Sequence, residues 1–300
     1  MERFLILALV GLAAQLVDGS LGMGYGLTST TLLLTAGVAP AVASASVHMA
    51  EVVTTAASGM SHRRFGNVDK RMLKKLIIPG AVGSFAGATF LSNLTGDNVR
   101  LYVSSFLLCL GLYILARFLF LKDARKQNPK PPTNRFYIPL GFVGGFFDAS
   151  GGGGWGPIAT PALLSQKGMQ PRIVIGTVAA SEFAVALAAT IGFMISLGPD
   201  KINWLWAGAI MLGGIIAAPI AAWIVKSLPT RVLAVIVSGM LIMTNLQAVL
   251  SYTSISATIE QFIYIVLIII WVPLTAYMIQ KERKLSNSKR MNVNAAEKTS

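Results

Sequence analysis

The sequence contains few charged residues and a single cysteine. Charged side chains make up 12% of its 300 residues, about half of the ~25% usual in soluble domains. Because Cys109 is the only cysteine, the chain can form neither an intrachain disulfide nor a cysteine metal cluster. The shortage of charge argues against an ordinary soluble domain, and the single cysteine gives no information about the redox compartment.

Acidic residues are scarce as well, with 12 aspartates and glutamates against 25 lysines and arginines and a net charge of +13. In a soluble protein such an excess would indicate nucleic acid as a partner. Here the basic residues are concentrated in short connectors and in the carboxyl-terminal tail, which is typical of cytoplasmic loops. We therefore expect membrane lipid as a partner and no nucleic acid.

Long apolar runs dominate the rest of the chain, which is 54% hydrophobic with a mean hydropathy of +0.66. A helix needs about 20 apolar residues to cross the hydrocarbon. The sequence therefore predicts an all-α, polytopic transmembrane helical bundle. Full crossings are expected at 41–60, 73–91, 100–121, 173–197, 203–225, 232–251 and 258–279, whereas glycine-rich segments interrupt the runs 4–37 and 136–165.

The basic connectors predict how the chain is oriented in the cell membrane. Residues 62–75, 122–135 and 281–300 are rich in lysine and arginine and should be cytoplasmic. The crossings then alternate consistently only if 4–37 and 136–165 each enter and leave on one side, as re-entrant hairpins of two half-helices. This predicts an external amino terminus and a cytoplasmic carboxyl terminus; a cleaved signal peptide is the alternative interpretation of residues 1–15.

The two interrupted runs are similar to each other. A shift of 130 residues places Asp18 on Asp148 and the first glycine cluster on the second, and a shift of 131 places Glu51 on Glu182. Since the predicted topology puts the two copies on opposite faces, we interpret them as an inverted-topology repeat. The predicted organisation is a first unit at 1–121, a cytoplasmic linker at 122–135, a second unit at 136–251, an additional helix at 258–280 and a disordered basic tail at 281–300.

Inverted repeats with broken helices are the architecture of secondary transporters, whose binding site lies where the units meet. Glycines let the backbone turn, and the second half-helix then begins with unpaired N–H groups that attract an anion. We predict substrate contacts at Ser20, Gly22, Gly24, Gly26, Ser150, Gly152, Gly154 and Gly156.

Four acidic residues lie within apolar segments: Asp18, Glu51, Asp148 and Glu182. Each would cost about 2.5–3.5 kcal/mol at the bilayer centre if ionised and unpaired. One interpretation is proton coupling to anion transport. The alternatives are that the aspartates cap the second half-helices and that the glutamates anchor the hairpins. The same carboxylates would also suit a cation/proton antiporter, and this alternative stays open.

The sequence gives little support for a metal site, a cofactor or an enzymatic activity. His48 precedes Glu51 by three residues, a spacing that could bind a metal, but Ala179 stands at the equivalent position of the second copy. We therefore expect no metal site and no cofactor. Since no nucleophile–base pair is visible, we expect a transporter and not an enzyme; an intramembrane enzyme or a scaffold is the remaining alternative.

The segment "GGFFDASGGGGWGPIATPALL" at 144–164, followed by Gly168 and the helix around Gly176–Thr177, resembles the TauE/SafE family of sulfite exporters and related permeases. The resemblance covers about 5–280, and "VDGSLGMGYGLTSTTLLL" at 17–34 fits less closely, with Thr31 where the second copy has Pro161. It implies a proton-linked or facilitated exporter of small anions, sulfite and organosulfonates among them. The anion, the coupling and the oligomeric state stay open, and a homo-oligomer is compatible with the sequence.

Overall fold

The computed structural model describes residues 2–21, 24–94, 98–120, 133–164, 166, 169–201, 204–224 and 230–297. Within these ranges every regular element is a helix, which confirms the all-α prediction. The helices are α1 (Glu2–Leu21), α2 (Tyr25–Thr35), α3 (Pro40–Arg64), α4 (Lys70–Asn93), α5 (Val99–Phe120), α6 (Asn134–Gly151), α7 (Trp155–Leu164), α8 (Pro171–Leu197), α9 (Trp204–Ile224), α10 (Thr230–Leu250) and α11 (Ala257–Glu297), with a 3₁₀ turn at Pro199–Lys201.

Four helices are long and apolar enough to cross a membrane, at Lys70–Asn93, Val99–Phe120, Ile173–Leu197 and Ala257–Lys284. Shorter apolar stretches lie in α1, α9 and α10. Helix α3 has the length of a crossing but is much less apolar, because it carries serine, threonine, histidine and glutamate side chains that are buried in the protein. The total of seven crossings stays a prediction.

Both interrupted runs are broken where the glycines predict. Helix α1 ends at Leu21 and α2 begins at Tyr25, while α6 ends at Gly151 and α7 begins at Trp155. Gly24, Gly152 and Gly153 have φ angles of 123°, 78° and 138°, a region that glycine adopts without the steric cost of a side chain. That each pair of half-helices enters and leaves on one side of the membrane stays a prediction.

The helices of one copy pack mainly against helices of the other copy. Helix α1 packs along α9 and α4 packs along α6, while α3 packs on α8 and α5 on α10. Under the 130-residue shift, α1 corresponds to α6 and α4 to α9, so the first two pairs map onto each other. The remaining two pairs map onto themselves. Each copy therefore completes its packing with the other copy.

Glycines allow two of these helix pairs to touch through their backbones. A Cβ atom added to Gly83 of α4 would lie 2.1 Å from the carbonyl oxygen of Phe142 in α6. At the equivalent position of the second copy, a Cβ atom on Gly213 of α9 would lie 1.8 Å from the carbonyl oxygen of Ala8 in α1. Both contacts require glycine, and they hold the two broken helices against the opposite copy.

The carboxyl-terminal region differs from the sequence prediction. Helix α11 continues to Glu297, so most of the tail that was predicted to be disordered is helical in the structure. The tail contains no glycine or proline after Pro273, and hence no residue that would end the helix. Glu282 in this extension lies near Arg231 of α10, with 3.7 Å between carboxylate and guanidinium atoms.

Candidate functional site

The two helix breaks are in direct contact. A Cβ atom on Gly26, in the first turn of α2, would lie 2.9 Å from the Cα atom of Gly153 in the second break. The Thr30 hydroxyl donates a hydrogen bond to the carbonyl oxygen of Gly152. The structure thus brings together two glycine clusters that are about 130 residues apart in the sequence.

A narrow pocket lies at this contact. Its walls include Gly24 and Gly26 of the first break, residues 153–156 of the second, and the carboxyl-bearing residues Asp148, Glu51 and Glu182. The empty space between these walls is about 170 Å³. Of the predicted substrate contacts, Gly24, Gly26, Gly154 and Gly156 line the pocket.

The remaining predicted contacts are placed differently. Gly152 forms the turn of the second break and accepts the hydrogen bond from Thr30. Ser150 is buried and its hydroxyl has no hydrogen-bond partner among the described residues, but it is not part of the pocket wall. Gly22 and the side chain of Ser20 lie outside the described residues.

Both predicted aspartates accept hydrogen bonds from the start of the following helix. The Oδ1 atom of Asp148 accepts from the backbone N–H groups of Gly154 and Trp155, at 2.7 and 2.9 Å. Asp18 accepts from the backbone N–H of Tyr25, which is the residue equivalent to Trp155. The geometry proposed for helix capping is therefore present in both copies, and both aspartates are buried.

His48 is a part of the site that the sequence interpretation set aside. Its Nε2 atom lies 3.1 Å from Oδ2 of Asp148 and 3.9 Å from Oε2 of Glu51. Its Nδ1 atom lies 2.8 Å from the carbonyl oxygen of Ser44. Since a carbonyl oxygen can only accept, Nδ1 carries a proton, and the contact between Nε2 and the carboxylate needs a second proton between the two atoms.

One signal in the sequence could have identified His48. Ser44, His48, Glu51 and Thr55 follow one another at intervals of three and four residues, so they share one face of α3. All of these polar side chains are buried. A polar stripe within a predicted crossing indicates a face turned towards protein or a cavity. Ala179 at the equivalent position of the second copy does not exclude a role for His48, because the two copies need not carry the same side chains.

The two glutamates line the pocket from α3 and α8, which pack against each other. Glu51 is 1% exposed, and its Oε2 atom has no hydrogen-bond partner among the described residues. Glu182 is also buried and lies within electrostatic range of Asp18, Glu51 and Asp148. The pocket wall therefore contains three of the four acids that the sequence singled out, Glu51, Asp148 and Glu182.

His48, Glu51 and Asp148 also form a group that could hold a metal ion. One ligand atom from each residue lies within 4.8 Å of the others. An imidazole and two carboxylates are suitable ligands for a divalent transition metal. The sequence prediction of no metal site rested on the absence of a second histidine, and this cluster does not require one.

Comparison with known proteins identifies the family. The sequence profile described as "Sulfite exporter TauE/SafE" matches residues 7–248. The chain belongs to the TauE/SafE family. This confirms the resemblance drawn from the glycine-rich segments, and this TauE/SafE protein is accordingly a membrane transporter. Transporter relatives agree with the expectation that it is not an enzyme.

Its relatives include proteins of Bacillus subtilis (strain 168). The chain is 52% identical over 282 residues to "Probable membrane transporter protein YtnM", an alignment that covers 94% of each protein. It is 25% identical over 269 residues to "Probable membrane transporter protein YunE", covering 82% of this chain and 97% of the relative. No solved structure matches the chain significantly.

Proposed function

We propose that this TauE/SafE protein exports small oxyanions, such as sulfite or an organosulfonate, together with protons. The observation that carries the proposal is the meeting of the two helix breaks at one buried pocket, where α2 and α7 begin. The first backbone N–H groups of a helix point away from it, and the helix dipole is positive at this end. Two such ends directed at one pocket favour a negatively charged ligand.

The packing of α1 on α9 and of α4 on α6, two pairs that correspond to each other under the 130-residue shift, supports an inverted repeat with two re-entrant hairpins. Alternating access would then be a rocking of one unit against the other around the pocket. The basic connectors support a cytoplasmic carboxyl terminus and an external amino terminus in the cell membrane. In this arrangement both glycine clusters would lie near the middle of the membrane, surrounded by protein.

We assign proton coupling to Asp18, Glu51, Asp148 and Glu182. An anion cannot share a buried pocket with several ionised carboxylates, because like charges repel strongly where water is excluded. Binding of the anion therefore requires that protons enter the site with it. A protonated Glu51 would present its O–H group to an oxygen atom of the substrate, and Oε2 has no other partner among the described residues.

Flux measurements in proteoliposomes test the proposal. A proton gradient should drive the uptake or release of sulfite or methanesulfonate by the purified protein. Gly26→Ala places a methyl group 2.8 Å from Oε1 of Glu51 and 2.9 Å from Gly153, and should reduce this flux by about tenfold or more. The matched control is Gly208→Ala in α9, where a Cβ atom meets nothing within 4 Å. Anion flux that is equal in both variants would contradict the proposal.

A cation/proton antiporter is the second candidate, and the cluster of His48, Glu51 and Asp148 favours it. In this case carboxylates would bind the cation directly and exchange it for protons. The expected result is a cation-dependent flux that does not depend on the anion and that is lost in Glu51→Gln and in Glu182→Gln. Flux that follows the anion and persists when the cation is replaced by a large organic cation would exclude this candidate.

A further inference from the structure

We propose that His48, Glu51 and Asp148 bind one divalent transition-metal ion, with Zn²⁺ the best suited, at the wall of the pocket between the two helix breaks. The inference does not rest on the proposed export of anions, because it concerns the binding of a cation and is tested without a flux measurement. It opposes the expectation from the sequence that the chain has no metal site.

Two of the three side chains are held by one polar atom and offer the other to an ion. The Oδ1 atom of Asp148 accepts from the backbone N–H groups at the start of α7, which leaves Oδ2 available. The Nδ1–H group of His48 donates to the carbonyl oxygen of Ser44, at 2.8 Å, so the lone pair of a neutral ring lies on Nε2. Histidines that bind metals usually donate their other N–H in this way, because the hydrogen bond fixes the orientation of the ring.

Glu51 distinguishes a metal site from an ordinary buried ion pair. It is 1% exposed, and its Oε2 atom has no hydrogen-bond partner among the described residues, although it lies 3.9 Å from Nε2 of His48. An ion pair between His48 and Asp148 satisfies only one of the two carboxylates and leaves Oε2 buried without a partner, which is costly. A cation between the three side chains satisfies both carboxylates.

The separations between the ligand atoms are close to those of a metal site. Zinc bonds to imidazole nitrogen and carboxylate oxygen are about 2.0–2.2 Å long, so two ligands of a tetrahedral ion lie about 3.3–3.6 Å apart. Nε2 of His48 lies 3.1 Å from Oδ2 of Asp148 and 3.9 Å from Oε2 of Glu51. One ligand atom from each residue lies within 4.8 Å of the others. A small rotation of the Glu51 side chain therefore closes the site around an ion.

The charge and the type of the ligands indicate which ion fits. Two carboxylates and a neutral imidazole carry two negative charges, which a divalent ion neutralises, whereas an imidazolium would leave one negative charge in a buried place. An imidazole ligand favours Zn²⁺ or a neighbouring transition metal, while Ca²⁺ prefers about six to eight oxygen ligands. Three protein ligands also leave a fourth position of a tetrahedral Zn²⁺ for water or another small ligand.

The position of the cluster in the fold gives the ion a rigid frame and a path of entry. His48 and Glu51 lie on one face of α3, and Asp148 lies near the end of α6. The Ser44 hydroxyl donates to the carbonyl oxygen of Ala149, at 2.7 Å, and so joins α3 to α6 beside Asp148. Since Glu51 and Asp148 line the pocket, an ion in the pocket reaches both carboxylates. Metal and protons would then compete for these two side chains.

Metal binding to the untagged full-length protein in detergent tests the inference. The protein is first treated with a chelator, and the stoichiometry and dissociation constant of Zn²⁺ are then measured by equilibrium dialysis. Co²⁺ serves as a second probe, because its visible absorption depends on the ligands around it. Glu51→Gln and His48→Gln each remove one ligand. Glu182→Gln is the matched control, since it removes a carboxylate from the same pocket wall but none of the three ligands.

The expected result is one Zn²⁺ per wild-type chain and an affinity that falls by about 100-fold or more in each ligand variant. Changes to residues that only support metal ligands already cost about 10- to 100-fold in affinity. Glu182→Gln should keep the Co²⁺ spectrum of the wild type, because no ligand is lost, whereas Glu51→Gln and His48→Gln should lose it. Zn²⁺ should also raise the unfolding temperature of the wild type and not that of the ligand variants. If one ligand variant does not fold, the other provides the same comparison.

Two results would overturn the inference. The first is a wild-type protein that binds neither Zn²⁺ nor Co²⁺ after treatment with the chelator. The second is a folded ligand variant that binds Zn²⁺ as tightly as the wild type, because the ion is then held by other groups. Neither result bears on the export of anions, which the flux measurements decide separately.

Discussion

The break between α1 and α2 and the break between α6 and α7 have the same framework but different polar partners. Each has an aspartate that accepts a hydrogen bond from the aromatic residue at the start of the next helix, Asp18 from Tyr25 and Asp148 from Trp155. Asp148 accepts a second backbone hydrogen bond and faces His48. At the position equivalent to His48, α8 has the buried Ala179.

The aromatic residues also differ in how they are anchored. The hydroxyl of Tyr25 donates to the carbonyl oxygen of Ile210 in α9, whereas the indole N–H of Trp155 donates to that of Val178 in α8. The first break is thus tied to the opposite copy and the second to its own. The comparison teaches that the two breaks share a backbone geometry but differ in their ionisable partners. If the proposed proton coupling holds, we expect it to concentrate at the second break.

The largest effect should follow from separating the two breaks. Gly153→Ala introduces a Cβ atom 2.4 Å from the backbone nitrogen of Leu27, at a φ angle of 138°. Since neither backbone can yield without moving its helix, anion flux should fall to the background of empty liposomes. Gly37→Ala is the control: it has a similarly unfavourable φ of 83° but open space around it. Its flux should stay within about twofold of the wild type, and equal losses would show that strain and not contact matters.

Replacing the two aspartates one at a time should show how much each helix break depends on its aspartate for the stability of the protein. Asp148→Ala leaves two N–H groups and the buried His48 without their acceptor, and should destabilise the protein by about 3–5 kcal/mol. Asp18→Ala removes a capping carboxylate without a histidine partner among the described residues and should cost about 1 kcal/mol. Thermal unfolding in detergent at one pH compares the variants. Equal losses of stability would mean that the two breaks are equivalent.

Much of this framework could be predicted from the sequence, because its causes are local. Gly24 and the pair Gly152–Gly153 adopt backbone angles that interrupt a helix, and an aspartate shortly before the second half-helix is placed to cap it. The sequence also identified the acids that gather at the pocket, since each of them is unusual in an apolar segment. These features depend on short spacings that can be read without knowledge of the fold.

The partners of these residues could not be predicted in the same way. Contact between His48 and Asp148 joins residues 100 positions apart and depends on how α3 packs beside α6. Ser150 was expected at the pocket because it is equivalent to Ser20 and its hydroxyl stands beside the second glycine cluster. Residues two apart on a helix point in nearly opposite directions, and its hydroxyl does not reach the pocket wall.

A smaller effect is expected from the histidine that distinguishes the breaks. In His48→Gln the side-chain amide can still donate to Asp148 but cannot pass protons to or from the neighbouring carboxylates. Flux driven by a proton gradient should therefore fall by about tenfold, while anion exchange without a gradient should change little. His62→Gln, which alters the other of the two histidines, should retain both activities. A parallel loss of driven flux and exchange would instead assign His48 a structural role.

The smallest effect is a difference in stability between variants of two threonines at equivalent positions, Thr30 and Thr160. The Thr30 hydroxyl donates to the carbonyl oxygen of Gly152, across the contact between the breaks. At the equivalent position, the Thr160 hydroxyl is buried and has no partner among the described residues. Thr30→Val should therefore destabilise the protein by about 1 kcal/mol, since it leaves a carbonyl oxygen unpaired. Thr160→Val should be neutral or slightly stabilising, because it removes a polar group that is buried without a hydrogen bond. Thermal unfolding in detergent measures both, and a larger loss in Thr160→Val would show that its hydroxyl has a bound partner in the membrane.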